Sequence, residues 1–252
     1  MADALSAVVL AGGRIKPDLA AATGARHRAL IAVGGRPLLR TVLDALAGAG
    51  MAQVVVVGAP ELQPTVGVDA RLVAEAGDLV ENLFAGLRAL DSTDPCLVCT
   101  ADIPFLRPEH LADFVGRARA TRAAFVYPII PKPSCEARFA GARRTYARLR
   151  EGTFTGGNLV LVDPATLSGQ AARIRALYAA RKSPLRLAGL LGLPLLWSFL
   201  TKTATLPQLE WKFSQLLGAP ARAVITPHAE IGFDVDKVAD YEVARRATFG
   251  PR

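Results

Sequence analysis

Five groups of residues have the types and spacing to do chemistry. Leu10, Ala11, Gly12, Gly13 and Arg14 follow directly on the apolar run SAVVL at 6–10. Small residues after a strand let a ligand approach the backbone and aim N–H groups at a phosphate or a base edge, although a plain tight turn uses the same residues. The run is not G-x-G-x-x-G and no Gly-Lys-Ser/Thr follows it, so neither a dinucleotide fingerprint nor a P-loop is present. Asp102 follows a second apolar run, CLVCT at 96–100. Open α/β sheets bind ligands at the carboxyl ends of their strands. A carboxylate there can hold Mg2+ and leave room for phosphates; it can also simply cap a turn. Asp234 and Asp236 are two apart in GFDVD and share a face if the chain is extended. They can complete a divalent-metal site with Asp102. The competing reading is a solvated turn with Asp236 as helix N-cap. Gly156 and Gly157 permit close backbone approach, and Asn158 offers both a donor and an acceptor. Arg143 and Arg144 lie just upstream, and a hairpin with a basic surface is the other reading of this stretch. Cys96 and Cys99 are three apart on a strand, hence on opposite faces, which suits buried thiols better than zinc.

The elements that must position these groups alternate. Short apolar, β-branched runs at 6–10, 53–57, 71–74, 96–100, 123–127, 158–162 and 221–226 read as strands, several of them buried on both faces. Helical patterns fill 37–48, 78–90, 108–120, 164–180, 206–217 and 237–247. Pro37 opens the first, and Asp78 with Glu81 has capping-box spacing. The fold class expected is α/β, a mostly parallel central sheet with helices on both faces. Residues 128–151, Pro-rich and then Arg-rich, read as a loop or hairpin excursion. No repeat or low-complexity linker divides the 252 residues, so one domain over 1–252 is expected.

Composition narrows the function classes. With 51% hydrophobic residues the chain is not a disordered one. Three cysteines are too few and odd in number for a disulfide scaffold, which fits a cytoplasmic location. The N-terminal residues lack the pattern of a signal peptide. The net charge of +8 invites a nucleic-acid reading. Aromatics make up only 6% and do not interleave with the basic residues, which weakens that reading, and the local clusters of charge fit a small polyanionic substrate as well as they fit a nucleic acid.

LAGG followed by R-x-L-I-x-V-G-G-R-P-L-L at 28–39 resembles the N-terminal signature of the MobA-like NTP transferase superfamily, nucleotidyltransferases of the GT-A-like, Rossmann-like fold. TADIPFL at 100–106 resembles the family's D-x-P element, and GFDVDKV at 232–238 its closing acidic element, with Lys-Val in place of the usual Thr-Pro. The resemblance implies that residues 10–14 wrap the nucleotide and that Arg28, where the family usually has Lys, contacts the phosphates. The spacer between Arg14 and Arg28 is long, which leaves open which of Arg14, Lys16 and Arg28 reaches the triphosphate. It further implies that Asn82 reads base or ribose, and that Arg143, Arg144, Gly156, Gly157 and Asn158 belong to an acceptor loop. The activity implied is transfer of an NMP from an NTP to a phosphorylated small molecule, with Mg2+ and release of pyrophosphate. Arg28, Asp102 and Asp236 are its central residues. The acceptor phosphate is already an anion, so no general base is needed and none of the three histidines has a motif role. The alternatives are a GT-A glycosyltransferase using a sugar nucleotide and a non-catalytic nucleotide-binding protein.

The segment 181–202, nearly all apolar with basic borders, has no polar face. It reads as an inserted helical segment with three possible settings: domain core, homodimer interface, or peripheral contact with an anionic membrane.

Overall fold

The computed structural model describes residues 5–180, 189–190 and 192–249. A nine-stranded sheet forms the centre. Its order across is Arg71–Val73, Val54–Val57, Ser6–Leu10, Cys96–Thr100, Leu159–Val162, Phe125–Pro131, Gly152–Gly156 and Ala147–Leu149, with Ala221–Ile225 on the other side of Phe125–Pro131. Leu159–Val162 and Gly152–Gly156 run against their neighbours; the remaining strands all point the same way. The sheet is therefore mixed and mostly parallel.

Both faces are covered, which is why the strands do not alternate polar and apolar residues. Ala7 and Val9 pack on one side with Leu39, Val42, Leu46, Leu111 and Phe114 from the helices Leu38–Gly48 and Pro108–Ala120. Val8 packs on the other side with Val80, Phe84 and Leu87 from the helix Leu79–Arg88. This second helix lies very close to the sheet: a side chain at Gly86 would run into Val8 and come within 3.0 Å of Val57. Its start is fixed by a capping box. The Asp78 carboxylate accepts the Val80 and Glu81 N–H groups at 2.9 Å, and Glu81 accepts the Asp78 N–H at 3.1 Å. Cys96 and Cys99 are buried free thiols in the clusters on opposite faces.

Two local departures have identifiable causes. The helical pattern over 164–180 breaks into Pro164–Ser168 and Ala171–Ala180, with Gly169 ending the first piece. The strand predicted to end at 127 runs on to Pro131. Pro128 is accommodated where the neighbour changes from Leu159–Val162 to Gly152–Gly156, and its carbonyl accepts the Gly157 N–H at 3.0 Å. The excursion that follows is a short helix, Lys132–Arg138, and then the hairpin Ala147–Leu149/Gly152–Gly156.

Within 181–202, residues 181–188 and 191 lie outside the described residues. The helix Leu193–Leu200 buries Leu195 but exposes Leu193, Trp197 and Leu200. Leu195 and, in part, Phe199 pack with Leu149, Phe154 and Ala204, so the helix is joined to the domain by one side only. Among the described residues, no helix is long and apolar enough to cross a membrane.

Candidate active site

Leu10 and Thr100 are paired at the carboxyl ends of adjacent parallel strands, and a cleft of about 750 Å3 opens there. The first loop forms one wall. The Ala11 N–H is held by the Val57 carbonyl at 2.8 Å, and Gly12 and Gly13 continue into the cleft. A side chain at Gly12 would stand 2.8 Å from Asn82 Nδ2. Gly13 has φ +102°, in the left-handed region that glycine tolerates. The Arg28 guanidinium lies beside it, its Nη2 3.5 Å from where a Cβ would stand, so the backbone angle and not crowding calls for glycine.

The long spacer between Arg14 and Arg28 is built as a closed loop. Arg14 and His27 form an isolated bridge, and the helix Pro17–Thr23 lies between them. Leu19 of that helix is buried in one cluster with Phe233 and Val235. The spacer is thereby fastened to the segment that carries Asp234 and Asp236. Arg14 and Lys16 are both exposed, but Lys16 is ion-paired with Asp236, and Arg28, which lines the cleft, pairs with the same carboxylate.

Arg28 Nη1 lies 2.9 Å from Asp236 Oδ1 and 3.2 Å from Asp102 Oδ2. Asp102 is the buried member, its side chain only 10% exposed. Its Oδ1 is buried with no hydrogen-bond partner. Burial pushes the carboxyl up to about 6; Arg28 opposes this and the nearby Asp234 adds to it. The Asp102 carbonyl accepts the Val235 N–H at 3.1 Å, which ties the first carboxylate to the strand-like segment bearing the other two. Asp234 Oδ1 accepts from Arg144 Nη1 at 2.7 Å and Asn158 Nδ2 at 3.3 Å. The start of the last helix is held by Asp240, which accepts the Asp236 and Lys237 N–H groups, leaving the Asp236 carboxylate to the cleft.

Asn82 is buried in the first turns of Leu79–Arg88, and its side-chain carbonyl accepts the Ala76 N–H at 2.7 Å. It fixes the loop before the capping box against the first loop. Of the Gly-Gly-Asn run, Asn158 lines the cleft. Gly156 faces the Tyr127 hydroxyl, and a side chain at Gly157 would stand 2.8 Å from both Ile231 and Pro128. These glycines serve packing. Arg143 is exposed and not part of the cleft wall; Arg144 reaches it through Asp234. Sequence reasoning missed Arg175 and Tyr178, which close the cleft from the helix Ala171–Ala180. The only signal was a general excess of basic residues there.

Residues 7–166 match the model of the MobA-like NTP transferase domain. A solved structure described as a hypothetical transferase from Thermus thermophilus is 41% identical. The match covers 94% of this chain and 99% of that one, with a TM-score of 0.85. The 2-C-methyl-D-erythritol 4-phosphate cytidylyltransferase of Thermus thermophilus is 18% identical, covering 98% of this chain and 99% of that one at a TM-score of 0.58. A nucleotidyl transferase from Methanothermobacter thermautotroptrophicus is also 18% identical, with 98% of each chain covered and a TM-score of 0.58. The last two are likenesses of fold. No curated protein matches the chain.

Proposed function

The chain belongs to the MobA-like NTP transferase family, and from that premise we propose that it transfers an NMP from an NTP to a phosphorylated small-molecule acceptor and releases pyrophosphate. The observation that carries this reading is the set of three carboxylates, Asp102, Asp234 and Asp236, interleaved with Arg28, Lys16 and Arg144 beside the Leu10–Gly13 loop. Opposite charges at this spacing suit a ligand that is itself a polyanion accompanied by a cation. The whole of 1–252 is read as one such domain, in line with the near-complete overlap with the Thermus transferase.

Mg2+ fits the donor set. It is a hard cation that takes oxygen ligands and keeps open positions for phosphate. Asp102 and Asp236 would hold it, with Asp234 as the third candidate, and the partnerless Asp102 Oδ1 is a donor with nothing else to satisfy it. When bound, it would neutralise charge on the phosphate oxygens and on the departing pyrophosphate. The protein's own part is positioning and electrostatics. The first-loop N–H groups meet the nucleotide. Arg28 and Lys16, at present held by carboxylates, are placed to turn to the triphosphate. Asn82 holds the wall against which base and ribose would lie. On the acceptor side, Arg144 is fixed by Asp234 and stacked on Phe233, and its Nη2 is a buried donor without a partner. It is positioned for an acceptor phosphate, as is Asn158. That phosphate attacks the α-phosphorus as an anion, the bond to pyrophosphate breaks, and no proton need be removed.

The test is a panel of NTPs with Mg2+ and a library of phosphometabolites, read as pyrophosphate release. Release that needs both substrates supports the reading. A sugar nucleotide consumed with release of a nucleoside diphosphate would replace it with glycosyl transfer.

A further inference from the structure

Away from the cleft, two histidines and two carboxylates from distant parts of the chain converge. His110 is in the first turn of the helix Pro108–Ala120, and Asp113 is one turn further on. His228 and Glu230 lie at the start of the short turn Ala229–Gly232. One ligating atom each from His110, His228 and Glu230 fall within 4.8 Å of one another, and the two imidazole rings are 4.8 Å apart between centroids.

Hydrogen bonding does not account for the arrangement. His110 has a side chain only 8% exposed, yet its Nδ1 has no partner and its Nε2 stands 3.9 Å from Glu230 Oε2. His228 Nε2 is 3.4 Å from Asp113 Oδ2, an oxygen that is buried and also without a partner. Both separations exceed the usual N–H···O range of about 2.7–3.2 Å. The 3.4 Å separation matches the edge of a tetrahedron built on metal bonds of about 2.0–2.1 Å, which is ~3.3 Å, and the 3.9 Å one would shorten by about half an ångström on binding. The other oxygen of each carboxylate is already used. Arg138 Nε donates to Glu230 Oε1 at 2.7 Å, and Arg117 Nε donates to Asp113 Oδ1 at 2.8 Å. Each arginine thus orients its carboxylate so that the free oxygen faces a histidine, the role outer groups play around metal ligands.

We propose that His110, His228 and Glu230, with Asp113 at the edge, form a second metal site for a divalent transition ion of the zinc class, separate from the carboxylates of the cleft. Two imidazoles and two carboxylate oxygens suit Zn2+ or Co2+ better than Mg2+. The site would be structural. It would clamp the helix Pro108–Ala120 to the segment that runs from His228 to Asp236. That segment already holds the cleft, since the Ile231 carbonyl accepts the Asn158 N–H at 2.9 Å and Val235 donates to Asp102.

The test is Co2+ titration of the full chain after treatment with EDTA, followed by visible absorption and by metal analysis after gel filtration. One tightly held Co2+, giving the intense visible bands of a four-coordinate ion and displaced by Zn2+, is expected. His228→Ala and Glu230→Gln should each lose those bands while keeping a folded melting transition; His228 is the more exposed of the two histidines, its side chain 28% exposed against 8% for His110. Asp102→Asn combined with Asp236→Asn should retain them. Zn2+ should raise the melting temperature of the unaltered chain and not that of His228→Ala. Absence of stoichiometric Co2+ binding overturns the proposal, as does binding that survives in His228→Ala but disappears in the Asp102/Asp236 double variant. Because the readout is metal binding, its failure leaves the nucleotidyl-transfer reading standing.

Discussion

Arg28 Nη1 lies 3.2 Å from Asp102 Oδ2, so a largely buried carboxylate at the end of a central strand is faced by a cation that arrives from the first loop. Removing either partner leaves the other short of its charge, and their effects separate by chemistry. Arg28→Ala should raise the NTP concentration needed for half-maximal rate and lower turnover about a hundredfold, the scale of losing one charge-stabilising donor. Arg28→Lys should recover part of this, because Lys keeps the charge that Arg28 Nη1 places between Asp102 and Asp236 but lacks the other N–H donors of the guanidinium fork. Steady-state kinetics on the three proteins checks it. Equal losses in Ala and Lys variants would mean the fork, not the charge, is what counts.

The long spacer between Arg14 and Arg28 gives a second prediction. Lys16→Ala should weaken NTP binding, measured by calorimetry, because Lys16 is paired with Asp236 at the cleft. Arg14→Ala should leave affinity within about twofold, since Arg14 is exposed and contributes its backbone to the bridge with His27. A crippling Arg14→Ala with a silent Lys16→Ala would reverse these roles.

Asp102 also predicts how stability depends on pH. Its folded-state pKa is raised from the ordinary 3.8 to about 6, chiefly by burial. The folded chain therefore binds this proton more tightly than the unfolded chain. The contribution is fully present below the ordinary value and is lost as pH rises through the folded one. Asp102→Asn removes the burden of a buried charge. In EDTA, its melting temperature should exceed that of the unaltered protein near neutral pH and converge with it in acid. One pKa unit is about 1.4 kcal/mol, and each kcal/mol moves the midpoint of a chain this size by about 2–4 °C. A difference that does not vary with pH would show that Asp102 is not the group responsible.

Much of this site is legible in the residues alone. Strands covered on both faces announce themselves as unbroken apolar runs, so the ends of 6–10 and 96–100 can be found, and Asp102 with them. The pair Asp234 and Asp236 is visible from a spacing of two. Arg144 reads as an acceptor group alone, because its bond to Asp234 spans 90 positions and no local pattern encodes it. Gly156 and Gly157 look like ligand-facing glycines. Their missing side chains instead admit Tyr127, Ile231 and Pro128, contacts set by how the strands pair. Arg175 and Tyr178 reach the cleft from a helix whose register against the sheet depends on tertiary packing. His110 and His228 share no motif because 118 residues of chain, 110 to 228, separate them.

The exposed helix Leu193–Leu200 makes a prediction of its own. Trp197 is 68% exposed, so Trp197→Glu should change stability by no more than about 0.5 kcal/mol, as surface substitutions do. If the exposed face is a dimer or membrane contact, the same substitution should weaken it. Analytical ultracentrifugation would show this as loss of a dimer, and co-sedimentation as loss of salt-sensitive binding to anionic vesicles. A large drop in melting temperature would return the helix to the domain core.

On the proposed reading, the Asp102 cluster supports Mg2+-dependent nucleotidyl transfer. Its most direct measurement is pyrophosphate release by the unaltered chain and by Asp102→Asn, with the active NTP and acceptor, across a series of Mg2+ concentrations. Release should require Mg2+, and the variant should stay folded but turn over roughly a hundredfold or more slowly at every Mg2+ concentration. A folded Asp102→Asn protein releasing pyrophosphate at the unaltered rate would contradict it.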